Sequence, residues 1–438
     1  MSASALGARQ REGVIKRLRR RAAVPGARTP HMVRLSEYHS TESAQCSVVD
    51  LGDSARVSLI LTPQGRGSFR EQACELLSTL QAILSRQGRS MTVTCQTVFL
   101  RHAADVAECQ RIFSDHFGTA VPVTNYVLQP PCCGAAVSLE AWAIGGADVR
   151  IERFGPHGLA VSYDSMRWVY CAGVKPEAGA KGVYRQMMST MERMGAVLAM
   201  AGSDFEHVVR TWFYLGGITE AEGGAQRYME MNRARADFYR ELRFGSHSPK
   251  SGLLPGGYPA STGIGTGGAG LVAGCLSLQT QRKDALLVHL ENPQQTPAFA
   301  YHSRYSPKSP KFSRGTALVL GDYLTTWISG TASIVNSESC HPEDIEKQTE
   351  QTIENIERLI SVDSFVEQGV QGTAACLEDF AKIRVYLKRL EHFAKCKAIC
   401  ERRFGSVPAI YAVADVCRPE LLVEIEGVAF SRFKGGNS

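Results

Sequence analysis

The chain has 438 residues, 44% of them hydrophobic and 21% charged, a balance that supplies several packed cores and excludes a fibrous or wholly disordered protein. Its net charge of +6 resides in the first 35 residues, which hold nine Lys or Arg and one Glu; the −2 left to the remainder excludes a folded body built as a basic nucleic-acid surface. No apolar run reaches the length of a membrane span, and thirteen irregularly spaced Cys behind no signal-peptide core point to a reducing, cytoplasmic setting.

Residues 1–44, with Lys16-Arg17-Leu18-Arg19-Arg20-Arg21, read as a basic, disordered tail; a transit peptide or an RNA-binding arm are the alternatives. Beyond it one pattern recurs three times. Gln72, Gln186 and Gln348 each lead a helical stripe with apolar residues at shared offsets: Leu77, Leu80, Ile83 and Leu84; Met191, Met194, Val197 and Leu198; Ile353, Ile356, Leu359 and Ile360. A β-rich segment follows each helix, at 94–100, 209–215 and 383–387. A second helix comes next (109–116, 228–242, 393–403), and then one or two closing strands (124–144, 259–278, 409–430). Three repeats of one grammar predict an α+β protein of three tandem modules, each a mixed sheet with two helices on one face. The expected bounds are 45–150, 151–290 and 314–432. A linker at 291–313 is broken by Pro293, Pro297, Pro307 and Pro310.

The last closing strand carries the chemistry. In Cys417-Arg418-Pro419-Glu420-Leu421-Leu422-Val423-Glu424-Ile425-Glu426-Gly427, alternation puts Glu424 and Glu426 on one face of an otherwise apolar strand. Strand geometry alone leaves two readings, a solvated face or buried acids; burial would raise a Glu pKa and hold a proton ready for general-acid work. Gly263-Ile264-Gly265-Thr266-Gly267-Gly268 lacks the Lys-Ser/Thr ending of a phosphate loop, and Cys132-Cys133 lacks partners at zinc spacing. Neither metal nor cofactor is expected.

Several segments together carry a resemblance. Ser329-Gly330, Asp344 and Gln348 opening a helix, Asn355, Arg384-Val385-Tyr386-Leu387 and Val423-Glu424-Ile425-Glu426-Gly427 resemble the YjgF/Rid fold, whose members are homotrimers with sites between subunits. Pro259-Ala260-Ser261-Thr262-Gly263-Ile264-Gly265, Phe312-Ser313-Arg314-Gly315, Gly330-Thr331-Ala332-Ser333-Ile334-Val335 and the Cys417–Gly427 segment are similar to the chorismatases. That resemblance implies a monomeric pseudo-trimer in which one chain supplies all three modules. It also implies cofactor-free cleavage of chorismate to pyruvate and a hydroxylated ring, with chorismate as the sole small-molecule partner and neither nucleic acid nor membrane. Glu424 would be the acid. Arg210, Arg314, Tyr214, Tyr301, Ala260 and Thr262 would hold the substrate, Arg being suited to its two carboxylates. Gly330 with Cys417 marks the 3-hydroxybenzoate-forming type, whereas Ala at both marks the diene-forming type. Asn336-Ser337 departs from the Gly-His of the family pattern. The alternatives are a 4-hydroxybenzoate- or diene-forming chorismatase, or a non-catalytic Rid-like protein binding metabolites or RNA.

Overall fold

The helices form where the Gln-led stripes place them, and their ends are set by local chemistry. Helix α1 (Phe69–Ser85) starts at Ser68, whose hydroxyl accepts from the Glu71 amide while the Glu71 carboxylate accepts from the Ser68 amide, a reciprocal cap. Helices α2 (Val106–Phe117), α3 (Val183–Met200), α4 (Arg227–Phe238), α5 (Ile345–Leu359), α6 (Val362–Glu367) and α7 (Phe393–Phe404) follow. The computed structural model describes residues 34–40, 43–51, 53–245, 257–302 and 308–432; the Lys16–Arg21 cluster lies outside them.

Three six-stranded sheets carry these helices. The first comprises β1 (Arg34–Ser40), β2 (Ala44–Asp50), β3 (Ser54–Leu61), β4 (Thr92–Leu100), β5 (Val123–Val127) and β6 (Val137–Gly146), in the order β1-β2-β3-β6-β4-β5. The second comprises β7 (Arg150–Phe154), β8 (Gly158–Tyr163), β9 (Met166–Val174) and β10 (Val208–Gly216). After a small ribbon of β11 (Ala221–Glu222) and β12 (Ala225–Gln226), it is completed by β13 (Ala260–Thr266) and β14 (Leu271–Thr280). The third comprises β15 (Ala285–Leu290), β16 (Gly315–Leu320) and β17 (Tyr323–Ala332), then, past the hairpin β18 (Ile334–Val335) and β19 (Glu338–Ser339), β20 (Phe380–Leu387), β21 (Ala409–Val413) and β22 (Val423–Arg432). In each, one parallel pair joins an otherwise antiparallel sheet: β4 with β5, β10 with β13, β20 with β21.

Two expected boundaries move. The segment Arg34–Ser40, read as tail, is an edge strand of the first sheet, paired with β2. Strand β15, assigned to the second module, pairs with β16 of the third, Ala285 opposite Leu320 through Leu290 opposite Gly315. The Pro-rich segment therefore connects two neighbouring strands of the third sheet.

Alternation along the strands gives each sheet two apolar faces. One face packs under its own helices, as with Val137, Leu139, Ala141 and Ala143 of β6 against Leu76, Leu77, Leu80 and Phe113. The opposite faces of all three sheets meet. Ile144, Trp168, Leu278, Trp327 and Phe430 form one shared cluster, and Phe99, Tyr214, Ile264, Tyr386 and Ile410 form another. Polar residues on these inner faces are thereby withdrawn from water, and that sets the character of the site.

Candidate active site

Strand β22 lies between β17 and β20, with Glu424 opposite Ala332 and Tyr386, and Glu426 opposite Arg384. The repeated Gln fixes where this strand begins. Gln348 Oε1 accepts from the Leu422 amide at 2.8 Å, and its Nε2 donates to the Glu420 carbonyl at 2.9 Å; Gln72 likewise accepts from the Ala136 amide at 2.8 Å ahead of β6. Both acids point to the inner face, and both are buried.

Their surroundings drive them apart. Glu426 accepts from Arg210 and Thr262, from Arg384 Nη1 at 2.9 Å, from the Tyr386 hydroxyl at 2.9 Å and from Trp212 Nε1 at 2.9 Å. Burial works against its charge, but Arg384, Arg210 and these hydrogen bonds hold its pKa below the usual carboxylate range. Glu424 is pushed up to about 8, chiefly by burial and then by the Glu426 charge, with Arg210 and Arg314 opposing. One of two carboxyls two residues apart is thus a fixed anion, while its neighbour keeps its proton at pH 7, the division of roles that acid catalysis requires.

Residues from two units close around Glu424. The Gly330 amide donates to Thr262 Oγ1 at 3.0 Å, joining β17 to β13. A Cβ at Gly330 would stand 2.8 Å from the Glu424 carboxyl carbon and 3.3 Å from Thr262 Cγ2, so only glycine leaves the acid its place. Cys417 sits partly buried beside Glu424, its thiol pushed up to about 12 by burial and then by the Glu424 charge; Gln226 Nε2 donates to its carbonyl at 3.2 Å. Arg314 is buried, donates to the Tyr301 hydroxyl, and lies 5.6 Å from both the Tyr301 and Phe312 ring centres. Its Nε makes no hydrogen bond among the described residues. The structure thus brings Glu424, Gly330, Cys417, Thr262, Arg314 and Tyr301 together.

Three residues expected to hold the substrate are engaged within the protein. Arg210 is committed to Glu426, Thr262 Oγ1 (2.5 Å) and the Thr211 carbonyl (2.8 Å), and Tyr214 accepts from Arg384 Nη1 at 2.8 Å. Both belong to a buried charge relay running from Lys382 through Glu140, Arg384 and Glu426 to Arg210, behind the acid and across all three units. The Ala260 side chain packs into the inner apolar cluster, while its amide donates to Thr316 Oγ1 at 3.0 Å. Asn336-Ser337 forms the turn between β18 and β19. Asn336 has φ +53°, a conformation Asn tolerates as Gly does, and the Ser337 carbonyl accepts from Arg418 at 2.9 Å.

The sequence reading missed Arg235. It is 1% exposed on α4, donates to Ser261 Oγ at 3.0 Å and Asn232 Oδ1 at 2.5 Å, and leaves Nε unpartnered; among the described residues no carboxylate pairs with it. It neighbours Tyr228, which itself adjoins Cys417 and Glu424. The signal was present: Tyr228, Met231, Asn232, Arg235 and Tyr239 share one helical face, so Arg235 falls on the stripe that must be buried. A buried cation without an anion is costly and suits a carboxylate ligand. A separate cavity of about 480 Å³, bordered by Met166, Arg167, Leu278 and Leu318, contains none of these residues.

The other two sheets lack the acid. Strand register puts Ser138 and Val272 where β22 has Glu424, since Phe99, Tyr214 and Tyr386 are their respective partners. Residues 141–277 match the family model described as chorismatase FkbO/Hyg5-like, N-terminal. A 3-hydroxybenzoate synthase of Streptomyces hygroscopicus is 31% identical over 300 residues, 66% of this chain and 80% of that protein. A chorismatase of Streptomyces rapamycinicus is 31% identical over 282 residues, 61% of this chain and 78% of that protein. A crystal structure of a chorismatase superposes with a TM-score of 0.61 at 21% identity, covering 86% of this chain and 98% of that one, a likeness of fold. Identity at this level across most of both relatives places the chain in the chorismatase family.

Proposed function

We propose that the Glu424 cleft splits chorismate into pyruvate and 3-hydroxybenzoate. The observation that carries the reading is a buried carboxyl held protonated at neutral pH beside a permanently ionised one, within a cleft supplied with unpaired arginine nitrogens. Glu424 delivers its proton to the terminal vinyl carbon of the enolpyruvyl ether, generating an oxocarbenium ion. Capture of that ion by an oxygen nucleophile and collapse release pyruvate, while loss of water from the ring yields the aromatic acid. The net reaction divides chorismate without another reactant. Arg314 and Arg235 take the two substrate carboxylates, Tyr301 orients Arg314, and Thr262 ties Gly330 to Glu426. The relay containing Arg210 and Tyr214 fixes Glu426, and Cys417 serves proton transfer during aromatisation. The relatives' names, 3-hydroxybenzoate synthase and chorismatase, support this substrate and product.

The same reading makes the chain a monomeric pseudo-trimer of YjgF/Rid-like modules with one working cleft of three. In support, Thr262 of the second sheet bonds Gly330 of the third beside Glu424, and the matching positions of the other two sheets carry Ser138 and Val272 in place of the acid. Incubation with chorismate, followed by identification of pyruvate and the ring product, tests the assignment. Product identity also tests Gly330 and Cys417. Gly330→Ala drives a methyl against the Glu424 carboxyl, so turnover should fall by about tenfold or more, consistent with a displaced general acid. The remaining product should shift toward the dihydroxy-cyclohexadiene, as it should for Cys417→Ala. An unchanged product ratio in both variants, read by chromatography, would count against these roles.

A further inference from the structure

We infer that Glu291, at the end of β15, is a positioning residue that sets the charge Arg314 offers to a substrate carboxylate, so that affinity for the dianionic substrate depends on whether Glu291 carries its proton. This rests on the proposed role of Arg314. The geometry comes first. Glu291 Oε1 accepts from the Arg314 amide at 3.2 Å, so the two residues are joined through the main chain, while Oε2 is buried and, among the described residues, has no donor at hydrogen-bond geometry, the Ser313 hydroxyl being the neighbouring polar group. An ionised carboxylate oxygen sealed from water without a donor is unfavourable, and the neutral acid is the form such a place prefers. The Arg314 guanidinium meanwhile engages Tyr301 and, at 3.4 Å, the Thr296 carbonyl; among the described residues its Nε is unpartnered and no ion pair consumes it.

Among the described residues, few groups face Glu291. From the segment entering β16 come Arg314 and the Ser313 hydroxyl, and Tyr301 from the Pro-rich segment reaches it through Arg314. On its own strand His289 lies two residues earlier, buried, its pKa lowered to about 4 by burial, and therefore neutral through the working range. Among these, Arg314 is the permanent charge. Glu291 is raised to about 7, by burial first and against the pull of Arg314. Its raised folded-state pKa means the proton is held below about 7 and released above it. Below that value Arg314 presents an undiminished positive charge, and above it the Glu291 anion offsets that charge and weakens capture of a carboxylate. This loss is separate from the catalytic one, because Glu424 gives up its proton at higher pH and acts on the chemical step.

The test uses full-length protein carrying Glu424→Gln, in which turnover is slowed by ~10² or more, and measures Kd for chorismate from rapid-mixing binding traces, before turnover, from pH 6 to 8.5. Kd is expected to rise by about tenfold across that range, the size of a nearby unit charge in a partly screened site. In the Glu424→Gln, Glu291→Gln double variant that rise should vanish. A rise that persists in the double variant overturns the inference. Should the double variant not fold, infrared difference spectra of the single variant substitute: loss of a protonated-carboxyl band with midpoint near 7 supports the inference, and its absence overturns it. Failure of the underlying reading looks different, because an Arg314→Gln change that leaves Kd unaltered at pH 6 removes Arg314 from substrate binding altogether.

Discussion

Replacing Glu424 with Gln should lower kcat for chorismate cleavage by ~10² or more while making the protein more stable. The kinetic loss follows from removing the proton and keeping the volume. The gain in stability follows from linkage. Glu424 has a folded-state pKa of about 8 against an ordinary 4.5, so its contribution to stability is complete below the lower value and is lost as pH rises through the higher one. The wild-type chain therefore carries a cost that grows between those values and is largest above them. Gln carries none, and its advantage should be on the order of 3 kcal/mol at pH 7. Denaturant midpoints at pH 5, 7 and 9 should show the variant's lead widening with pH. The wild-type kcat should decline above about pH 8 as the acid ionises. A variant with near wild-type turnover would remove Glu424 from the mechanism, and one without a pH-dependent lead would show that its burial is not the source of its proton affinity.

The second large effect is expected at Glu426→Gln. This residue is the anion between Arg210 and Arg384, and it is buried with both of them. Without it, Glu140 is left to serve Lys382 and Arg384, and Arg210 has no counter-ion. Breaking a buried pair by removing one partner typically costs about 3–5 kcal/mol, because the charge left behind is stranded. The change should also reach Glu424. The Glu426 charge is the second cause of its raised pKa, so neutralising it should move the alkaline limb of kcat to lower pH. A purely structural role would reduce the denaturation midpoint and leave that limb in place. The shifted limb therefore distinguishes an electrostatic partner of the acid from a mere packing element.

Much of this arrangement is legible in the sequence, for reasons that belong to particular residues. Period-2 alternation in Val423-Glu424-Ile425-Glu426 determines that both acids share a face, and the three Gln-led stripes mark the helices that cover the opposite face. Gly330 and Cys417 both lie beside Glu424. What the sequence does not contain is the pairing of charges across units. Arg210 and Arg314 are both Arg near aromatic residues, and only the fold shows that one is spent on Glu426 while the other keeps an unpartnered nitrogen. The expected bounds of 151–290 group β15 with the second module, whereas it pairs with β16 beyond a Pro-rich stretch, which reads locally as a boundary. Glu291 stands at the end of that same strand and drew no attention in sequence, since an acid ahead of a loop ordinarily faces water.

The most direct test is incubation of the purified full-length chain with chorismate alone, with pyruvate measured enzymatically and ring products resolved by chromatography and mass spectrometry. Pyruvate and 3-hydroxybenzoate in equal amounts are the predicted result. Chorismate recovered intact, under conditions in which circular dichroism shows the chain folded, would contradict it.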